Sequence, residues 1–166
     1  MPQTYSFDIV TRCDLQEVDN ATNQTRKELA NRYDFRGLSF EINFDRERGS
    51  ITLQAPDKHK LNAIMDVLKT RMAKRNVPIK NLKSSEPQAA TGSALRQEID
   101  LQQGLSKETA KDIVKFIKDQ KKKKLQGSIQ GEQVRVQSPS KDDLQDIKAK
   151  LSEQDFGVEL QFENFR

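Results

Sequence analysis

The sequence predicts an α+β fold, a tandem of two ferredoxin-like, RNA-recognition-like βαββαβ domains. Three observations predict it. Strand and helix periodicities follow the order β-α-ββ-α-β and then repeat that order once. Each helical stretch opens on a residue suited to capping a helix N-terminus. A run rich in turn and small residues, 84–92, separates the halves.

Taken in order, Tyr5, Phe7 and Ile9 alternate with polar neighbours as a short strand. Asp14 with Glu17 resembles a capping box, and Leu15, Val18, Thr25, Leu29 and Tyr33 continue as one helical stripe. Leu38, Phe40, Ile42 and Phe44 then show period two. A connection at 46–49 turns them back into Ile51, Leu53 and Ala55, a hairpin. Asp57 opens a second helix carrying Leu61, Ile64, Met65, Leu68 and Met72. Residues 77–82 form a weaker strand that Pro78 confines to an edge or a strand start.

The second half repeats the order. Leu95, Gln97, Ile99 and Leu101 make its first strand. Ser106 opens a helix with Ala110, Ile113, Val114 and Ile117 behind it. A hairpin joins 125–130 to 133–137 through Gly131-Glu132, where glycine in the first turn position suits a type II′ turn. Ser140 with Asp143 opens the last helix, with Leu144, Ile147 and Leu151, and Val158, Leu160 and Phe162 close the chain as a strand. Each half has roughly 80 residues, small but large enough to hold a core.

Composition narrows the function. The chain has 166 residues, 29 Lys+Arg against 25 Asp+Glu, a net charge of +4, 34% hydrophobic residues and a mean hydropathy of −0.85. No apolar run approaches the ~20 residues of a membrane span. The start, Met1-Pro2-Gln3-Thr4-Tyr5, lacks the charged and greasy regions of a signal peptide, and the one cysteine, Cys13, fits a reducing compartment. The expectation is therefore a cytoplasmic protein without a membrane partner. One histidine, His59, and one cysteine cannot build a Cys/His zinc site. His59 lies in the polar string Asp57-Lys58-His59-Lys60 and reads as a solvated helix start. No phosphate-binding glycine loop occurs. Asp142, Asp143 and Asp146 share a helix, and capping and solvation account for them. The expectation is no catalytic residue, no metal and no cofactor.

Charge is spread evenly between the halves. Residues 1–92 hold 15 basic and 12 acidic side chains, and 93–166 hold 14 and 13, so neither half is a strongly basic nucleic-acid module. Locally the picture differs. Lys69, Arg71, Lys74, Arg75, Lys80 and Lys83 follow one another with no acid between them, and Lys115, Lys118, Lys121, Lys122, Lys123 and Lys124 form a second run broken only by Asp119. Cations near helix C-termini offset the macrodipole by ~0.3–1 kcal/mol each. The same runs also fit a polyphosphate or nucleic-acid footprint, and sequence leaves both readings open. Recognition of single-stranded RNA on the sheet would need exposed aromatics. The hairpin strands 51–55 and 125–137 contain none, and Phe40 and Phe44 share the phase of core residues.

The string 32–37 is the leading candidate for a nucleotide site. Arg32 and Arg36 each carry a planar fork for phosphate or a guanine edge, Asp34 can accept from the guanine N1 and N2 donors, and Phe35 can offer a stacking face. The competing reading is a helix-ending turn with Gly37 near the stop and Phe35 plugging the core. Asp155-Phe156-Gly157 closes the last helix in the same manner. On the second hairpin, Gln126, Ser128, Gln130, Arg135 and Gln137 form an outward polar face, either for a base or ribose, with Gln130 and Arg135 as binders, or for solubility.

Several strings together carry a resemblance: Ser6-Phe7-Asp8-Ile9-Val10, Leu15-Gln16-Glu17-Val18-Asp19-Asn20-Ala21, Arg32-Tyr33-Asp34-Phe35-Arg36-Gly37, Ile129-Gln130-Gly131, Asp155-Phe156-Gly157 and Leu160-Gln161-Phe162. In these the chain resembles the YajQ family of bacterial nucleotide-binding proteins along essentially its full length. The resemblance implies two tandem RNA-binding-like ferredoxin folds that exchange their first strands. One domain would then span 12–104, with a linker at 84–93 and strand 95–101 returning to it. The other would combine 1–11 with 105–166. It also implies a non-enzymatic protein that binds a nucleotide (cyclic di-GMP, GTP or ATP), with nucleic acid or a regulatory protein as a further partner. The stretch Ser138-Pro139-Ser140-Lys141 is less basic than the family pattern.

Overall fold

The computed structural model describes residues 3–166; Met1 and Pro2, where the N-terminal reading began, lie outside the described residues. The chain forms two compact units, one of Cys13–Gln102 and the other of the residues up to Arg12 together with Gln103–Arg166. Both are mixed α and β, each with an antiparallel sheet, the architecture of two α+β ferredoxin-like domains in tandem.

The N-terminal strand β1 (Tyr5–Val10) does not pair with its sequence neighbours. It lies in a sheet with β7 (Gln126–Gln130), β8 (Gln133–Ser138) and β9 (Gln161–Glu163), in the order β7-β8-β1-β9. Its register on β8 sets Phe7 opposite Val136 and Asp8 opposite Arg135. Helices α3 (Lys107–Asp119) and α4 (Lys141–Glu153) belong to the same unit. Their buried faces (Ile113 and Ile117, Leu144, Ile147 and Leu151) join Phe7, Ile9, Val134 and Val136 in one core. This is the α3/α4 unit.

The α1/α2 unit is continuous in sequence. Helices α1 (Leu15–Ala30) and α2 (Lys58–Lys74) belong with a sheet of β2 (Glu41–Asp45), β3 (Ser50–Ala55), β6 (Leu95–Leu101) and β4 (Leu82–Ser84), in the order β2-β3-β6-β4. Strand β6 therefore holds the place of a first strand here, as β1 does in the other sheet. Its core includes Cys13, Val18, Leu29, Phe35, Ile51, Leu53, Leu68, Met72 and Ile99.

All four expected caps form. The Asp14 carboxylate accepts from the Gln16 and Glu17 amides, Asp57 from the Lys60 amide, Ser106 from the Thr109 amide and Ser140 from the Asp143 amide. The second half of the expected capping box at Glu17 is absent, because the Glu17 side chain turns to Asn20 and Arg75 instead. In the second hairpin Gly131 has φ +61, while Glu132 is not among the positive-φ residues, as a II′ turn requires.

Other elements depart from the expected pattern. Helix α1 ends at Ala30, so Tyr33 leaves the apolar stripe and stands 86% exposed in a short 3-10 turn, Tyr33–Phe35. That turn and Gly37, at φ +72, redirect the chain, and the strand expected from Leu38 begins only at Glu41. Residues 77–82 are divided between a 3-10 turn, Ile79–Asn81, and the short edge strand β4. Within 84–93, β5 (Gln88–Ala89) pairs with β6, so part of that stretch is held on the sheet. The last strand is confined to Gln161–Glu163.

Gly104 lies where the chain returns from β6 toward α3. Its amide donates to the Thr11 carbonyl at 2.7 Å, the following Leu105 amide donates to the Glu132 carbonyl, and its φ is +82. A Cβ here would stand 2.9 Å from the Cβ of Glu132, whereas one at Gly92, with φ +70, would meet nothing. Gly104→Ala combines backbone strain with a clash and is expected to cost roughly 2–3 kcal/mol, against about 1 kcal/mol for Gly92→Ala. Urea unfolding of the two variants measures the difference; equal midpoints would refute it.

Candidate functional site

The turn that follows α1 gathers more interactions than its length suggests. Arg32 forms a two-pronged pair with Asp34, Nε to Oδ1 at 3.0 Å and Nη2 to Oδ2 at 2.8 Å. Lys60 reaches over from the first turn of α2, where its Nζ donates to the Asp34 carbonyl at 2.8 Å and stands 3.8 Å from Asp34 Oδ2. The Arg32 hydrogen bond, aided by its charge and by Lys60, holds the Asp34 carboxyl below its ordinary range; Arg32 in turn is raised, first by the same bond. Asp34 is therefore a fixed anion between two cations.

The structure separates the roles of the two aromatics. Phe35 is 3% exposed, packs edge-on against Phe40 at 5.3 Å, and lies beneath Arg32 and Lys60 at 5.6 and 5.2 Å from their charged groups. The ring available to solvent is Tyr33, with the Arg36 guanidinium 5.8 Å from its centroid. By sequence Tyr33 ends the α1 stripe, and no local signal points to Lys60, whose position depends on the tertiary packing of α2. Arg32, Asp34, Phe35 and Arg36 are thus together in one turn of the α1/α2 unit.

Gln130 and Arg135 belong to the α3/α4 unit. Gln130 is exposed on the edge strand β7. Arg135 is half-buried, and its Nε donates to Asp8 Oδ1 at 2.9 Å. Asp8 is 2% exposed, and Asn164 Nδ2 donates to its other oxygen at 3.0 Å. The bond from Arg135 comes first in lowering the Asp8 pKa, burial opposes it, and Asn164 adds to the lowering. Nothing in the strand pattern foretold a buried carboxylate on the outward phase of β1.

Among the basic residues, Arg71 is paired with Glu28 at 2.8 Å, and Arg75 with Glu17 at 3.1 Å and Gln24 at 3.0 Å. Arg71, Arg75, Glu17 and Gln24, with exposed Lys74, line an open depression of about 640 Å³ on the α1/α2 unit. Lys80 follows in the 3-10 turn Ile79–Asn81. Lys121, Lys122, Lys123 and Lys124 are all exposed between α3 and β7 of the other unit, with Lys121 at φ +57. The outward strand positions in both sheets carry no aromatic: they include Glu41, Asn43, Thr52, Gln54, Arg96 and Glu98 in one, and Gln126, Ser128, Gln130, Gln133, Arg135 and Gln137 in the other. Neither sheet offers the stacking platform of an RNA-recognition surface.

No group of three or more His, Cys, Asp or Glu side chains among the described residues is arranged to hold a metal ion. Nor is any helix of the described residues long and apolar enough to cross a membrane.

A family model described as "Nucleotide-binding protein YajQ-like" matches residues 5–166. The chain belongs to the YajQ family. A relative from Chloroherpeton thalassium, named a nucleotide-binding protein, is 42% identical over 166 residues, covering 100% of both chains. Relatives with the same designation from Koribacter versatilis and Trichlorobacter lovleyi are each 47% identical over 161 residues, 97% of this chain, and 96% and 98% of theirs. These names describe nucleotide binding and not an enzymatic activity. As a YajQ-family chain, the protein carries its 32–37 turn and its buried Asp8–Arg135 pair within the matched region.

The Asp8 pair has a pH consequence. A carboxyl whose folded pKa lies below its ordinary 3.8 contributes stability at neutral pH, and that contribution is lost as pH falls from about 4 through the folded value. Arg135→Ala strands the buried carboxylate and is expected to lower the melting temperature on the order of 5 °C at pH 7. The gap should narrow below pH 4, and adding Asp8→Asn should recover part of the loss. Thermal melts across that pH range decide it; a loss independent of pH would remove the electrostatic explanation.

Proposed function

We propose that this chain is a non-enzymatic nucleotide-binding protein of the cytoplasm, a receptor or effector whose ligand is cyclic di-GMP or another guanine nucleotide, held at the 32–37 turn. The observation that carries the reading is the Tyr33 ring, 86% exposed beside Arg36 and next to the Arg32–Asp34 pair. A base stacked on an aromatic ring gains ~1–3 kcal/mol. Arg36, now resting against that ring, is free to swing onto a phosphate as the base takes its place. Two of the five Arg32 N–H donors are committed to Asp34, which leaves a second edge of the guanidinium for the ligand. Each Asp34 oxygen retains a lone pair for the guanine N1 and N2 donors. Phe35 serves from below by fixing the turn in the core.

Structured RNA is the second reading, favoured by the four exposed lysines 121–124. Phosphate contacts of that kind weaken steeply with salt and show little base preference.

Calorimetric titration with cyclic di-GMP, GTP, ATP and a short RNA, at two salt concentrations, separates the two. Tyr33→Ala and Arg36→Ala are each expected to weaken guanine-nucleotide binding roughly tenfold or more, a loss of about 1.4 kcal/mol, with unchanged melting because both side chains are exposed. Binding of RNA alone, collapsing as salt rises, would transfer the function to the lysines. Unaltered affinity in both variants would remove the turn from the site.

A further inference from the structure

The α3/α4 unit has its own cleft, apart from the turn just discussed. The C-terminal residues run beside β1: the Ser6 amide donates to the Arg166 carbonyl at 3.1 Å, and the Arg166 amide donates back to Ser6 at 3.0 Å. Between this stretch and α4 lies a cavity of about 480 Å³. Its walls include Tyr5, Lys141, Gln145, Lys148, Phe165 and Arg166.

What marks the charges here is their place over aromatic rings. Arg12, Arg71, Arg75 and Arg135 are each matched with a carboxylate, and so is Lys150, four residues on from Asp146. Lys141 and Lys148 are matched with none among the described residues. They stand seven residues apart on one face of α4, with Leu144 and Gln145 between them, and each rests on an aromatic ring. Lys141 Nζ is 4.8 Å from the centre of Tyr5; Lys148 Nζ is 5.0 Å from Phe165 and 5.7 Å from Phe162. No acidic side chain lines the cavity, and Phe165 remains 55% exposed in spite of the lysine over it.

We propose that this cleft is a second ligand site, taking one nucleoside monophosphate. The two ring faces are the surface for a base, since an aromatic face that accepts a cation also accepts a stacked heterocycle. Lys141, Lys148 and Arg166 are the counter-charge for a phosphate dianion. Gln145 offers an amide to the base edge or the ribose. Binding exchanges three cation–π contacts for stacking and two charge-assisted hydrogen bonds, with no ion pair of the lysines broken, because they hold none. The volume lies within the ~300–1,000 Å³ of small-ligand sites.

The test is a backbone-amide NMR titration of the full chain with 5′-GMP and 5′-AMP, with guanosine and inorganic phosphate as the separate halves. It is run on wild type and on Arg36→Ala, which disables the turn and so keeps the two sites distinguishable. The expected result is shifts at Tyr5, Ser6, Gln145, Lys148 and Phe165 in both proteins. Each half alone should bind at least about tenfold more weakly than the whole nucleotide. Lys148→Glu and Phe165→Ala should each weaken 5′-GMP about tenfold while the amide spectrum stays that of a folded protein. A small drop in melting temperature accompanies both, because each gives up ring contacts, Phe165 the one with Phe7 at 5.7 Å. Lys148→Gln, which keeps the stem, should lose part of that affinity. Shifts confined to 32–37, phosphate binding as well as the nucleotide, or Lys148→Glu titrating like wild type would each overturn the proposal. So would the absence of any shift at millimolar nucleotide.

Discussion

The structure depends on a pairing that spans nearly the whole chain. Strand β1 is bonded on one side to β8 and on the other to β9, so the α3/α4 core cannot close until both have arrived. Asp8 and Arg135, opposite one another in that register, are 127 residues apart. Closing so long a loop is entropically costly, and contacts of this range slow folding. The α1/α2 unit has no such requirement, since Cys13–Gln102 is continuous. A natural order follows, with the continuous unit as the local event and the β1 sheet as the late one. The buried Asp8 fits that arrangement. An ionised carboxylate in the middle of a sheet tolerates only a register that supplies its partner, so it penalises slipped pairings that apolar residues alone would accept.

The helices were legible because their signals are local. Asp14, Asp57, Ser106 and Ser140 each announce a helix through chemistry confined to four residues, and all four caps form as read. Strand alternation was nearly as informative in the hairpins. What periodicity could not show is where an element stops. Tyr33 fits the α1 stripe by count, but the helix ends at Ala30 with Asn31 capping it, and three residues later the same side chain points to water. Likewise β5 arises from pairing with β6, a property of the assembled sheet and not of Gln88 and Ala89.

The same division runs through the candidate sites. The 32–37 turn could be found in one dimension because Arg32, Asp34 and Arg36 are neighbours; Lys60 could not, since only the packing of α2 brings it there. The α4 cleft was invisible for a stronger reason. Tyr5 and Phe165 come from opposite ends of the chain, and Lys141 and Lys148 look like ordinary solvated helix residues until the rings beneath them are in place. In composition the protein is almost balanced, and five of its eleven arginines, Arg12, Arg32, Arg71, Arg75 and Arg135, are paired with carboxylates. The charge left available for ligands is therefore mostly lysine, a diffuse source of attraction whose geometric selectivity must come from the rings beneath it.

Cys13 illustrates another consequence of the fold. It is the only cysteine, it lies three residues beyond the end of β1, and it is buried in the α1/α2 core with Val18, Leu29 and Phe35. Its thiol is thus a native clock for the opening of one unit and not the other. A thiol reagent meets it only when that core breathes, and the labelling rate follows the local opening equilibrium wherever reclosure outpaces the chemistry. The two halves of a single chain are thereby distinguishable in solution without adding a probe.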